Sequence, residues 1–122
     1  MTDRIRIKRA YEAPAATDGY RVLVERLWPR GVRKETLELD EWLKALAPSD
    51  ALRRWFHHDP ERWAEFSVRY RAELRAEPAA SAVRGLAART RRGTVSLIFA
   101  AKDEQHNSAV VLRGVLQRSR AR

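Results

Sequence analysis

YRVLVERLWPRG, from Tyr20 to Gly31, is the stretch that decides the fold. Tyr20 to Leu27 is rich in aliphatic and β-branched residues, with Val22 and Val24 on one face and Leu23 and Leu27 on the other. Apolar side chains on both faces mark a strand covered on both sides, the central strand of a layered sheet. Pro29 then removes a ladder donor and Gly31 admits dihedrals that other residues avoid, so the chain turns away here.

Working outward, Ile5 and Ile7 alternate with Arg4, Arg6 and Lys8, the period-two pattern of a strand with one buried face. Residues 13–19, with Pro14 and Thr17-Asp18-Gly19, read as a loop. Downstream, Leu37, Leu39, Trp42, Leu43 and Leu46 form a roughly helical stripe that stops before Pro48. Ser49 reads as an N-cap, with Asp50 in the first turn of a short helix through Leu52, Trp55 and Phe56. Asp59-Pro60 opens the next helix, where Trp63, Phe66, Tyr70 and Leu74 recur at steps of three and four until Pro78 interrupts. A further helix is predicted over Ala80 to Thr90, with Val83, Leu86 and Ala87 inward.

Thr94 to Ala100 (TVSLIFA) has the short apolar run of a buried strand. Asn107 or Ser108 then caps a last helix with Val110, Val111, Val115 and Leu116 on its apolar side, and the Arg-rich tail from Arg118 is expected to fray. Strands separated by helices point to an α/β fold, a small, largely parallel sheet of at least three strands flanked by about five helices. The connection between the first two strands is short for a parallel crossover, which leaves the first strand's direction open.

The 122 residues fit a single domain, 1–122, long enough to bury about two thirds of its unfolded surface without a metal or disulfide. At 44% hydrophobic and 34% charged the chain is not a disordered tail, and no run approaches a membrane span. With no cysteine, thiolate metal sites, thiol redox chemistry and cysteine nucleophiles are excluded. Met1 to Lys8 lacks the apolar core of a signal peptide, so a cytoplasmic location with no membrane contact is the expectation.

The net charge is +9, and among the 25 basic residues only Lys8, Lys34, Lys44 and Lys102 are lysines. Such an excess attracts polyanions, nucleic acid among them, without specificity. A GC-rich coding bias explains the same arginines and the alanine-rich segments. On the long helix, Arg62, Arg69, Arg71 and Arg75 alternate with Glu61, Glu65, Glu73 and Glu77, as on a solvated face. The stronger basic patches are Arg89/Arg91/Arg92 and the tail.

Ligand crevices of open α/β sheets lie beyond the carboxyl ends of the strands. One end offers Arg26, Trp28 and Arg30: guanidinium groups that grip phosphate or carboxylate, and an indole that packs on a flat group. The other offers Lys102, Asp103, Glu104, His106 and Asn107 ahead of a helix whose free N–H groups favour an anion. In the leading reading Arg30 and Lys102 hold a small anionic ligand, Trp28 packs on it, Arg26 and Asn107 complete the pocket, and His106 with Asp103 is the candidate acid–base pair. The plain alternatives are that Trp28 is core, that Arg30 pairs with a carboxylate and that Asn107 is only a cap. A rival class is a non-catalytic nucleic-acid or protein-interaction module working through its arginines. His57 and His58, about 100° apart on a helix, cannot chelate as an i, i+4 pair would, so no metal and no cofactor is expected. Nucleophile elbows, P-loops and GxGxxG are absent, and the sequence names no reaction.

DGYRVLVERLWPRG (Asp18 to Gly31), APSDALRRWF (Ala47 to Phe56), DPERWAEFSVRYRAEL (Asp59 to Leu74) and SLIFAAKDEQHNSAVVL (Ser96 to Leu112) closely resemble the YeaO-like branch of the domain-of-unknown-function 488 family, in the same order and over nearly the whole chain. The resemblance implies a small bacterial cytoplasmic α/β protein and no particular activity. The matched motif positions are Glu25, Arg26, Trp28, Pro29, Arg30 and Gly31 with Lys102, Asp103, His106 and Asn107. Longer relatives have a Cys-His-Arg motif where this chain has Gln105-His106-Asn107, so thiol chemistry is not shared. YeaO-like members usually have aspartate at the position of Glu25, which keeps the charge and adds a methylene.

Overall fold

The computed structural model describes residues 4–120. Four strands make one parallel sheet in the order β1-β4-β2-β3: β1 (Ile5–Arg9), β2 (Tyr20–Leu23), β3 (Glu41–Trp42) and β4 (Val95–Phe99). β4 lies between β1 and β2 and is buried along its whole length, as its uninterrupted apolar run requires. The first strand is therefore parallel to β4 and separated from β2 by it. Its link to β2 is a loop with one 3-10 turn, Ala16–Asp18, instead of a helix. That is enough, because ten extended residues reach about 33 Å, twice the length of a five-residue strand.

Five helices follow: α1 (Lys34–Leu37), α2 (Asp50–Phe56), α3 (Trp63–Leu74), α4 (Ala79–Arg89) and α5 (Ser108–Arg120). The main core joins one sheet face (Ile5, Val22, Val24, Val95, Leu97, Phe99) to the inner faces of α2 to α5. Phe56, Phe66 and Tyr70 stack through it, and the Tyr70 hydroxyl donates to the Leu46 carbonyl. A smaller cluster of Ala10, Leu23, Leu37 and Ile98 covers the other face.

The expected caps are present. Ser49 Oγ accepts from the Leu52 amide at 3.2 Å, Asp59 Oδ1 from Glu61 at 3.0 Å, and Asn107 Oδ1 from Val110 at 3.1 Å. On α3 the Glu65–Arg69 pair forms on the exposed face. The last helix runs on through Arg118 to Arg120, the start of the segment expected to fray. Ala121 and Arg122, like Met1 to Asp3 of the N-terminal reading, lie outside the described residues.

The stripe from Leu37 to Leu46 is not a helix. α1 stops at Leu37, with Glu38 in the left-handed region (φ 50°), and edge strand β3 and a 3-10 turn (Lys44–Leu46) follow. The Arg21 guanidinium ends the helix by donating to the carbonyls of Leu37 (2.8 Å) and Glu38 (3.2 Å). The apolar residues also serve both faces: Leu37, Leu39 and Trp42 join the small cluster, and Leu43 and Leu46 the main core. Their helical spacing disguised a chain that passes round the sheet edge.

Candidate functional site

A cleft of about 260 Å³ opens at the carboxyl ends of β2 and β4. Its floor is Glu25 and Arg26, following β2, and Ala100, Ala101, Asn107 and Ser108, following β4. α2 and the turn after it bring in Arg53, Phe56 and His58, and α3 adds Phe66. At the end of α2 both His57 (φ 46°) and His58 (φ 54°) lie in the left-handed region, a conformation unfavourable by roughly 1–2 kcal/mol for an L-residue. That turn puts His58 against the cleft.

Glu25 ties the strand ends together. Its Oε2 accepts from the Ala100 amide at 2.9 Å, and its carbonyl accepts from Trp42 Nε1 at 2.6 Å. Burial pushes its carboxyl above the usual range, against the smaller opposing pull of the Ala100 amide and the Arg53 charge. A raised folded-state value means that ionisation opposes folding, so this penalty disappears as pH falls through that value. Glu25→Gln, which keeps the acceptor and removes the charge, is expected to melt at or above the wild-type temperature at pH 7. The wild type should close that gap in melts taken downward from about pH 8 to pH 4. A variant several degrees less stable at pH 7 would identify the ionised carboxylate as a stabilising group.

Arg26 donates through Nη2 to the Pro48 carbonyl at 3.3 Å and approaches Asp50 at 3.6 Å. The atom that faces Asp50 is Nε, which is buried and makes no hydrogen bond. Arg53 is half exposed and shares the same Asp50 carboxylate at 3.4 Å.

Of the residues expected at the site, Glu25, Arg26 and Asn107 line the cleft. Both Asn107 polar groups are used locally: Oδ1 caps α5 and Nδ2 donates to the Asp103 carbonyl at 2.9 Å. Trp28 packs against the small cluster, edge-on to Trp42 at 5.5 Å, and its indole donates to the Val32 carbonyl at 2.6 Å. Pro29 is buried, Gly31 takes φ 77°, and Arg30 is exposed, its carbonyl accepting from Tyr11 Oη at 3.0 Å. Lys102 is exposed and outside the cleft wall.

Asp103 and His106 do meet, Oδ2 to Nδ1 at 3.0 Å, and the imidazole stands edge-on to Trp63 at 5.2 Å, outside the cleft wall. Asp103 Oδ1 also accepts from the amides of Gln105 (2.9 Å) and His106 (3.0 Å). The Gln105 amide, followed by the His106 ring, holds this carboxyl below its ordinary range. Among the described residues no three His, Asp or Glu side chains gather as a metal-ligand set, and no helix is long and apolar enough to cross a membrane.

The sequence reading gave Phe56 and Phe66 only as apolar helix positions, weighed His58 as a metal ligand and did not single out Arg53. The signal for Arg53 was its i, i+3 spacing from Phe56 on a capped helix, which sets both toward one side.

The model of the inactive DUF488-N3 subclade matches residues 4–122. An uncharacterized protein of Mycobacterium tuberculosis is 42% identical over 113 residues, 93% of each chain. The uncharacterized protein YeaO of Escherichia coli is 41% identical over 108 residues, covering 88% of this chain and 92% of that one. No solved structure gives a significant match. With a match along the whole described fold and relatives of nearly equal length, the chain belongs to the DUF488 family, in its inactive N3 subclade.

Proposed function

We propose that this protein binds a small anionic or phosphorylated compound in the cleft at the strand ends. The observation that carries the reading is the buried Arg26 Nε in the wall of the cleft, which faces Asp50 Oδ1 at 3.6 Å and makes no hydrogen bond. Buried donors are rarely left without a hydrogen bond, and the Asp50 carboxylate at 3.6 Å is beyond hydrogen-bond length, so an anion in the cleft would supply the closer acceptor. Arg53 and the first turn of the 13-residue α5 add positive potential at the same place. The volume, near the lower end of ligand pockets, suits a phosphate-sized or small metabolite anion.

In this reading Arg26 and Arg53 hold the anion, Asn107 fixes the helix end behind it, and Arg30 and Lys102 contribute long-range attraction from outside. Trp28, Pro29 and Gly31 shape the turn that delivers Glu25 and Arg26. The Asp103–His106 pair braces the loop ahead of α5, and the description of the subclade as inactive favours binding over catalysis.

A thermal-shift screen against phosphate, sulfate, sugar phosphates and small carboxylates tests it. At 100 times its dissociation constant a ligand adds about 2.7 kcal/mol, a shift of several degrees. The expected result is a salt-resistant shift with one small anion that Arg53→Ala reduces by more than half. No shift with any anion, or one that Arg53→Ala leaves intact, overturns the reading.

A further inference from the structure

At the amino end of the sheet, opposite the cleft, lies a group of arginines without carboxylate partners among the described residues. α4 ends at Arg89, and Arg91-Arg92-Gly93 leads into β4. The carbonyls at this helix end already have donors. Leu86, Ala88 and Arg89 receive the amides of Thr90, Arg91 and Arg92, and Ala87 receives Thr90 Oγ1 at 2.6 Å. The Arg4 guanidinium serves Thr90 (3.3 Å) and Arg91 (3.0 Å). The Arg89 and Arg92 side chains are surplus to capping. Among the described residues no carboxylate lies within ion-pair distance of Arg89, Arg91 or Arg92. On the helical side Arg53, Arg54, Arg62, Arg69 and Arg84 have acidic partners, while Arg71, Arg75 and Arg113 have no ion pair among the described residues.

The Arg89 guanidinium carbon sits 3.7 Å from the centre of the Tyr20 ring, a cation–π stack. The ring is itself fixed, because Tyr20 Oη donates to Glu41 Oε1 at 2.9 Å. Tyr20, Asp40, Arg89, Arg92, Gly93 and Thr94 line a groove of about 320 Å³. Asp40 uses Oδ2 to accept from the Arg21 amide at 2.8 Å, which leaves Oδ1 for another donor.

We infer that this groove binds an unpaired nucleotide, free or within a single strand of nucleic acid. The base stacks on the guanidinium face of Arg89 turned away from Tyr20, Arg92 meets a phosphate, and Asp40 accepts an N–H from the base edge. The carboxylate decides against a plain polyanion, since Asp40 repels phosphate and rewards only a ligand that brings a hydrogen-bond donor. A duplex is disfavoured because its bases are already stacked on one another.

Fluorescence anisotropy at about 0.15 M salt tests this with four probes: a mixed-sequence single strand of about ten nucleotides, an abasic strand of equal length and charge, a duplex, and mononucleotides in competition. The single strand is expected to bind at least about tenfold more tightly than the abasic strand or the duplex. Arg89→Lys, which keeps the charge and removes the planar stacking surface, should lose roughly tenfold on the base-bearing strand and nothing on the abasic one. Arg92→Ala should weaken both strands, and Arg53→Ala neither, which separates this groove from the cleft. Competition by a mononucleotide identifies a free nucleotide as the ligand; binding by strands alone identifies a nucleic acid. Equal affinity for the base-bearing and abasic strands, or an Arg89→Lys variant with unchanged binding and melting temperature, overturns the inference.

Discussion

Asp18→Ala is expected to lower the unfolding free energy by about 3–5 kcal/mol, the range found when one partner of a buried ion pair is removed. Asp18 and Arg21 are 3% and 4% exposed, and their side chains meet at 2.6 Å. The same carboxylate takes Lys8 Nζ at 3.0 Å and the Ala15 amide at 2.9 Å. Alanine leaves two cations against the sheet with no counter-charge, while Arg21 keeps its bonds to the carbonyls of Leu37 and Glu38. Urea unfolding at pH 7 measures the loss as a lower midpoint at unchanged slope. A loss below about 1 kcal/mol would place the pair with weak surface bridges.

The same residue gives the protein an acid limb. Burial alone would raise the Asp18 carboxyl, but the Ala15 amide, Lys8 and Arg21 together outweigh it and hold it below its ordinary range. A lowered folded-state value contributes stability that is complete above the unfolded value of about 3.9 and is lost as pH falls through the folded one. The acid limb of the stability curve should therefore be shallower in Asp18→Asn than in the wild type.

Gly19→Ala is the second large effect, at least about 3 kcal/mol and a fall of more than about 10 °C in melting temperature. Gly19 takes φ 66° and ψ −132°, a conformation essentially confined to glycine. An added Cβ would stand 2.2 Å from the Thr94 carbonyl oxygen. That oxygen accepts from the Tyr20 amide at 2.9 Å, so relief by movement breaks the first bond between β2 and the approach to β4. Gly31→Ala is the control. It carries the same kind of φ, 77°, with nothing within 4 Å of the added carbon, and should lose only about 1 kcal/mol. Equal losses at the two positions would show that backbone strain, not the contact with Thr94, governs both.

What could be read from residues alone followed a physical rule. α3 and α4 were legible because each presents its apolar side chains to one core with one period. β2 and β4 were legible because each is a short apolar run buried on both faces, although β2 ends at Leu23 and leaves Leu27 exposed. Residues 37–46 were not, because they pass from one sheet face to the other and their spacing mixes two cores. A strand end could be located, which put Glu25, Arg26 and Asn107 at one cleft. Which face the chain takes after β2 is set by the turn itself, and so Trp28 went to the small cluster. The spacing from Phe56 sets Arg53 on one side of α2, but that this side and His58 meet the cleft is decided by the docking of α2, a tertiary event.

The sheet order has a consequence for synthesis. β4 hydrogen-bonds to both β1 and β2, and Ile5 finds its partner in Val95. On a ribosome the first two strands emerge with bare edges and must wait until most of the protein has been made before the strand that joins them arrives. Such long-range pairing slows folding and exposes intermediates to aggregation. Expression at lowered temperature or with a holding chaperone, which shields such unpaired strands, should therefore raise soluble yield.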